Sequence, residues 1–380
     1  LKILLIEYIT AGGLCHQPLP DSLLREGTLM RDALLADFSE LADVELFTTV
    51  DTRVSFPKHA GVVMPVDNQS NVIGLWETLL QQCDAALIIA PETDGILSQL
   101  TQMVDACGVI NLGVNLAAVE LFSNKYATYV ALSQAKISTI PTYTASEFLQ
   151  LEFFKLNGLS TTSSSTSAPL STPLFNHGCV AKPIDGAGCG DTRFFTTVAA
   201  LHIWLNEAAQ YSQLAHYIVQ PFQAGSPASI SMLCKNGSAW LLSGNQQLIE
   251  MSAELGQTSN QTLNQTTIQQ LPISHATIIY KGSLVNGLSS RHDDFSQLAQ
   301  TLAHAFPDFN GYVGVDVIIN GDDIFVVEVN PRITTSYIAL HKSLNINPAK
   351  LILELAKVPA SMFKLPGNMA TNEVLIHINE

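Results

Sequence analysis

The sequence predicts an α/β region followed by an α+β region, and three observations carry that prediction. Up to about residue 115, buried-strand patterns alternate with helical ones, as in a parallel sheet covered by helices. From Cys179 onward, strand patterns follow one another with turn signals between them, which suits antiparallel pairing. Between the two regions, residues 157–176 read NGLSTTSSSTSAPLSTPLFN, a Ser/Thr-rich run with little to bury, expected to be a flexible surface excursion.

The elements follow in order. KILLIEYI (Lys2–Ile9) reads as a buried strand ending in the turn signal TAGG. A helical period spans Leu23–Phe38. VELFTT and AALIIAP (Ala85–Pro91) are further strands, with the helical run VIGLWETLLQQ between them. Ser123 reads as the N-cap of a helix reaching about Gln134, and IPTY as an extended segment after it. GCVAKPI, DTRFFTT and HYIVQPF are strands, with a helix over Val198–Ala209 between the last two. SISMLCKNGSAWLLSGN is a hairpin turning at Lys235-Asn236-Gly237, because Asn-Gly suits a type I′ turn. ATIIYKGSL is a strand, a helix covers Asp293–Ala305, and GYVGVDVII with DIFVVEVN forms a second hairpin.

At 380 residues the chain is too long for one ordinary core, so two or three domains are expected. Hydrophobic residues make up 47% and charged residues 13%, the composition of a compact globular enzyme. The net charge of -15 argues against nucleic acid or an anionic membrane as the main partner, although local cations can still hold a small anion. The six cysteines form no C-x-x-C pair, so free thiols in a reducing cytoplasm are expected. No apolar run is long enough to span a bilayer, and LKILLIEY reads as a first strand rather than a secretory signal.

The chemistry concentrates in FVVEVNPR, Phe325–Arg332. Side chains alternate along a strand, so Phe325, Val327 and Val329 share one face and Val326, Glu328 and Asn330 the other. Glu328 and Asn330 then stand roughly 7 Å apart along the backbone. The preceding strand carries one acid, Asp316, in GVDVI. A three-residue loop, Gly321-Asp322-Asp323, sets Asp316 opposite Glu328, whereas a two-residue turn would set it opposite Val327; an odd loop is therefore predicted. Facing carboxylates repel. Either one points to solvent, or a hard divalent cation, Mg²⁺ or Mn²⁺, sits between them with Asn330 as a neutral oxygen ligand. Such a cation commonly also holds substrate phosphates.

VAKPIDGAGCGDTRFF sets Lys182 on a strand before glycines 186, 188 and 190. Glycines let backbone N–H groups approach phosphate oxygens. The segment is not a dinucleotide fingerprint, because a strand pattern follows, and it lacks the G-K-[ST] of a Walker loop. A lid joining two antiparallel strands fits it better.

A lysine on a strand before a Gly-rich hairpin, then YIVQPF, an Asp strand and E-x-N-x-R together resemble the ATP-grasp superfamily of carboxylate–amine ligases. The likeness runs from about Leu116 to the end, and the leading α/β region resembles the family's preceding domain. It implies a pre-domain at residues 1–115, a small lid subdomain at 116–217 carrying the 157–176 insertion, and a large subdomain at 218–380 with the metal site. It also implies ATP and Mg²⁺ (or Mn²⁺) as cofactors. On this resemblance Lys125 and Lys182 hold nucleotide phosphates under a lid carrying Gly186, Gly188 and Gly190. Gln220, Pro221 and Phe222 bracket adenine, and Asp316, Glu328 and Asn330 hold metal. Arg332 and Lys182 are the implied catalytic residues, Arg332 steadying the transferred phosphoryl group or the acyl phosphate and Lys182 touching the α/β-phosphates. The implied reaction makes an amide through an acyl phosphate and releases ADP and phosphate. Two departures stand out: GSPASIS occupies the place where relatives keep a ribose-binding acid, and GCG replaces consecutive glycines.

The IEY opening, T-x-G-G and APETDGIL resemble a subgroup that joins glutamate to tyramine or tyrosine in furan-type one-carbon cofactor synthesis. Glu7, Tyr8, Glu92 and Asp94 carry that likeness, and Gln247 is expected to face the acyl substrate. The expected partners are a small amine and a small carboxylate, with a homodimer as the assembly to test. The rival readings are a nucleotide-binding regulator without turnover and a biotin-carboxylase-like enzyme. No Ser-His-Asp or Cys-His set competes with these assignments.

Overall fold

The computed structural model describes residues 1–156, 175–186, 190–210, 213–252, 262–263 and 275–378. Two sheets organise them. The first has five parallel strands among the described residues: β1 (Lys2–Glu7), β2 (Glu45–Asp51), β3 (Val62–Val66), β4 (Ala85–Ile89) and β5 (Ile110–Asn111), in the order β3-β2-β1-β4-β5. β4 is buried along its whole length, as AALII should be with helices on both faces. The helices of this region are α1 (Asp21–Ser39), α2 (Val72–Leu80) and α3 (Ile96–Ala106). Sequence reading passed over β3, whose Met64 and Pro65 are exposed at the sheet edge. Proline is tolerated there because an edge strand has one unpaired side.

Two helices, α4 (Leu116–Phe122) and α5 (Lys125–Gln134), lead into the second region. The expected N-cap, Ser123, instead ends α4; Asn124 caps α5, its side chain accepting from Ala127 N at 2.9 Å. Asn is a strong N-cap, and the two capping candidates are adjacent in sequence, which is why the pattern misplaced the boundary by one residue. Then come β6 (Tyr143–Thr144), α6 (Ala145–Leu156), β7 (Cys179–Pro183), β8 (Arg193–Phe195), α7 (Val198–Gln210), β9 (Tyr217–Pro221), β10 (Ser226–Lys235), β11 (Ser238–Ser252), β12 (Thr262–Leu263) and β13 (His275–Val285). The chain closes with α8 (His292–Ala305), β14 (Gly311–Asn320), β15 (Asp323–Asn330), α9 (Tyr337–Leu344), α10 (Pro348–Lys357) and β16 (Val374–His377). The predicted DTRFFTT strand is shorter, only Arg193–Phe195.

These strands form an eleven-stranded sheet among the described residues, along β15-β14-β10-β11-β13-β8-β7-β9-β6, with β12 on β11 and β16 on β13. Every pairing between its strands is antiparallel. The β10–β11 hairpin turns on Asn236 and Gly237, both at positive φ, as the Asn-Gly pair predicts. One continuous apolar core joins Leu4, Ile6 and Ile88 of the first sheet to Ile230, Val313 and Val326 of the second. The expected Ser/Thr-rich excursion falls mostly outside the described residues. Its end does not behave as a surface loop: Phe175 is buried against Tyr143 and Phe148.

The β14–β15 hairpin corrects one prediction. Asn320 pairs with Asp323, so the turn is the two residues Gly321 and Asp322, not an odd loop. Asp316 nevertheless stands opposite Glu328, because a β-bulge adds one residue on β15 between the Val317–Val326 and Asp316–Glu328 pairs. The bulge also shifts the faces. Val326 and Val329 are the core residues, three apart, while Phe325 is only half-buried and Val327 joins the cavity wall.

Candidate active site

A cavity of about 470 Å³ opens between the two regions. Its walls come from the C-terminal ends of β1 and β4, from α1, from β7 and β9, and from the middle of the large sheet. The ends of parallel strands leave unpaired backbone groups and diverging loops, which is why ligands gather there. A second cavity, of about 770 Å³, lies on the first region, lined by Cys15, His16, Asp51 and Arg53. Though larger, it offers less chemistry, because Arg53 is already bound to Asp51 at 2.6 Å and to the carbonyls of Leu14 and Gln17.

Asp316 and Glu328 face each other across the β14–β15 ladder at the centre of the first cavity. Asp316 Oδ1 accepts from Gln247 Nε2 at 2.8 Å, and Oδ2 from Asn330 Nδ2 at 3.2 Å. Burial, and after it the Glu328 charge, push the Asp316 carboxyl up to about 6, against the Asn330 hydrogen bond and the Lys182 and Arg332 charges. Glu328 has a cation beside it: Lys125 Nζ lies 3.3 Å from its Oε1. The same ammonium donates to Gly186 O at 3.0 Å. Lys125 starts α5, and its own N–H donates to Ile184 O at 2.8 Å, so the helix start is fastened to the segment leading into the glycines.

This donor set fits a divalent cation. Two opposed carboxylates and an amide offer only oxygen ligands, and an acid whose proton is held by burial and then by its neighbour's charge is what an added cation would relieve. No group of three or more His, Cys, Asp or Glu placed to hold a metal ion occurs among the described residues, so the candidate centre rests on two acids and one amide.

Around it, Lys182, Gln220, Pro221 and Phe222 line one wall. Gln220 is buried and fixed by Thr142 Oγ1 at 2.8 Å, leaving Pro221 and Phe222 on a rigid strand end. Phe222 packs edge-on against Phe194. Gly186 has φ +96°, and a Cβ there would lie 2.8 Å from Thr93 Oγ1, so glycine lets the chain pass the first region so closely at this position. Gly190 has open space around it, and Gly188 lies outside the described residues.

Arg332 and Glu92 form a buried fork, Nε to Oε1 at 2.7 Å and Nη2 to Oε2 at 3.3 Å. Burial disfavours the Arg332 cation, but the charge and hydrogen bonds of Glu92 outweigh it and hold its pKa above the usual value. Two residues on, Asp94 N donates to Asp185 Oδ2 at 3.1 Å, joining the same segment to the residue before Gly186.

The structure therefore brings Lys182, Gln220, Pro221, Phe222, Asp316, Glu328, Asn330, Arg332, Gln247 and Glu7 onto one cavity, with Lys125 beside it on Glu328. Tyr8, Glu92 and Asp94 do not line it. Tyr8 packs toward Trp76 under Gly13, where a Cβ would meet its ring at 2.3 Å. Glu7 reaches the cavity, but its Oε2 accepts from Thr10 N and Oγ1, and Gly27 lies over the carboxylate. Gln247, expected to face an acyl substrate, lines the cavity and donates to Asp316. Sequence reading missed Glu26, Ser229 and Thr335, all on the wall. Glu26 is one acid in an amphipathic helix, and only the fold reveals which way it faces.

Two regions with this topology, clasping a cavity of lysines, paired acids and a bracketing strand end, define an ATP-grasp enzyme. A family model described as an ATP-grasp domain matches residues 122–336, and one described as a pre ATP-grasp 3 domain matches residues 44–119. The chain belongs to the ATP-grasp family, and its class is that of the ADP-forming carbon–nitrogen ligases. It is 27% identical over 374 residues to tyramine–L-glutamate ligase of Methanocaldococcus jannaschii, covering 97% of this chain and 94% of that protein. The tyramine–L-glutamate ligase of Methanocaldococcus fervens is 26% identical over 372 residues, covering 97% and 99%. Among solved structures, a putative ATP-grasp superfamily protein from Archaeoglobus fulgidus shares the fold over 99% of both chains, with a TM-score of 0.59 and 19% identity. Among the described residues no helix is long and apolar enough to cross a membrane.

Proposed function

We propose that this protein joins the carboxyl group of glutamate to the amino group of tyramine or tyrosine, using ATP and passing through an acyl phosphate. One observation carries the reading: the acid pair and Arg332 share a single cavity with a recess walled by Ile9, Leu23, Met30 and Ile89 of the first region. A nucleotide end and an apolar acceptor end thus meet where Arg332 stands. Likeness to two tyramine–L-glutamate ligases over nearly the whole chain supports the choice of substrates.

In this reading residues 1–115 form the pre-domain, 116–217 the lid and 218–380 the metal-bearing part. The strand end Gln220-Pro221-Phe222 brackets adenine, with the half-buried Phe222 as an apolar wall. Lys125 and Lys182 take the phosphates, and the loop of Gly186, Gly188 and Gly190 closes over them. Asp316, Glu328 and Asn330 would hold Mg²⁺ or Mn²⁺, which when bound spreads the negative charge of the triphosphate. A carboxylate resists an amine; as an acyl phosphate it accepts one. The γ-phosphoryl group passes to the carboxylate oxygen, ADP leaves, and Arg332 steadies the new phosphate. The amine nitrogen then attacks the acyl carbon, the carbon–oxygen bond to phosphate breaks, and an amide remains. Apart from aligning and neutralising charge, the chain supplies no nucleophile of its own.

The test is incubation with ATP, Mg²⁺, glutamate and a panel of amines. ADP and a glutamyl amide are expected by mass spectrometry, with tyramine or tyrosine preferred. AMP as the nucleotide product would overturn the acyl-phosphate route.

A further inference from the structure

We infer that Glu26 is the residue that receives the acceptor amine and takes its proton; this rests on the ligase reading above. Four features set it apart from the other acids near the cavity. Glu26 lies on the cavity wall, half-buried, on the same helix face as Leu23 and Met30 of that wall. Its charge reaches Arg332, where the acyl phosphate would sit. Thr335 Oγ1 donates to its Oε1 at 2.7 Å, fixing the carboxylate to the loop that carries Arg332. Its second oxygen, Oε2, accepts no hydrogen bond among the described residues, so it remains able to meet an incoming N–H.

The alternatives are already engaged. Glu92 gives both oxygens to Arg332. Glu7 is closed in by Thr10 and Gly27, and burial pushes its carboxyl above the usual range. Asp316 and Glu328 belong to the candidate metal centre. The recess beside Glu26 is apolar, so the ligand class is a primary ammonium carried on an apolar or aromatic body. An ammonium has no lone pair to attack with. Transfer of one proton to Glu26 Oε2 frees that pair; the nitrogen bonds to the acyl carbon, and the carbon–oxygen bond breaks toward phosphate. The departing phosphate takes the second N–H proton, and Glu26 returns its own to water.

Glu26→Gln keeps an oxygen for Thr335 and removes only the charge. With ATP, glutamate and tyramine, the expected result is a tyramine KM raised about 10–100-fold or a matching loss of kcat, the range for losing one charge-assisted contact, with the KM for ATP unchanged. Hydroxylamine, neutral near pH 7, needs neither an ammonium site nor a base. Hydroxamate formation from ATP and glutamate should therefore fall far less than tyramine ligation in Glu26→Gln, which also shows the variant is folded. Wild-type tyramine kinetics in the variant, or loss of its hydroxamate activity, would overturn the assignment of Glu26 alone. Absence of hydroxamate from the wild-type enzyme would strike the ligase reading itself, and this inference with it.

Discussion

Arg332 and Glu92 are 240 residues apart in sequence and share a two-point ion pair in the folded chain. Both are buried, at 9% and 4% exposure, so neither charge can be compensated by water if the other is removed. The pair fixes the planar guanidinium on the cavity wall, and it ties the loop after β4 to the loop after β15.

Glu92→Ala should therefore cost stability as well as rate. Breaking one side of a buried pair typically costs about 3–5 kcal/mol, because a charge is left without a partner. Chemical denaturation should show a loss of that order. Glu92→Gln, which retains an acceptor, should lose less stability yet still lower kcat, because Arg332 is less firmly held. Equal stability in wild type and Glu92→Ala would mean that the pair does not organise the site.

The lysine beside Glu328 makes a different prediction. Lys125 Nζ sits between Glu328 Oε1 and Gly186 O, so it pairs with an acid and fastens the Gly186 segment at once. Lys125→Met should weaken ATP binding about tenfold or more, the scale of a charge-assisted contact to phosphate. It should leave the fold intact, since α5 keeps its Asn124 cap. Nucleotide titration by calorimetry, paired with circular dichroism, separates the two effects.

Much of this site was legible before the fold. The strand pattern ending in Glu, Asn, Pro and Arg picks out Glu328, Asn330 and Arg332, and parity poses the question of what faces Glu328. The answer, Asp316, came out right although the two-residue turn was not foreseen; a bulge restored the pairing. Bulges leave no composition signal in a run such as VVEV, because each residue there suits either face. The partners of Arg332 and Glu26 were not legible at all. Their contacts join segments hundreds of residues apart, and local periodicity reports only which side of an element is apolar.

A close approach behind the Asp316–Glu328 pair yields a third prediction. Gly314 pairs with Asn330 and with Ser231, and a Cβ on it would lie 2.4 Å from the Thr334 methyl. Gly314→Ala must push away the loop that follows Arg332. Overpacking of this kind typically costs about 1–3 kcal/mol. The thermal midpoint should fall, and kcat should fall further than stability alone explains, because Thr334 and Thr335 hold the same loop. Wild-type activity in this variant would show that the loop tolerates displacement.

The carboxyl of Asp316 ties stability to pH. Its folded value is raised to about 6 from an ordinary value of 3.8, by burial and by Glu328. For a raised carboxyl, the stabilising contribution is complete below the unfolded value and is lost as pH rises through the folded one. Protein free of metal and nucleotide should therefore lose this contribution between about pH 4 and about pH 6. A divalent cation competes with that proton, so its stabilising effect should run the other way. Thermal unfolding with Mn²⁺ and with chelator should differ little near about pH 5 and clearly near about pH 7. Asp316→Asn should abolish both the dependence and the Mn²⁺ effect. A Mn²⁺ shift that is equally large at the two pH values, or that survives in Asp316→Asn, would place the cation elsewhere.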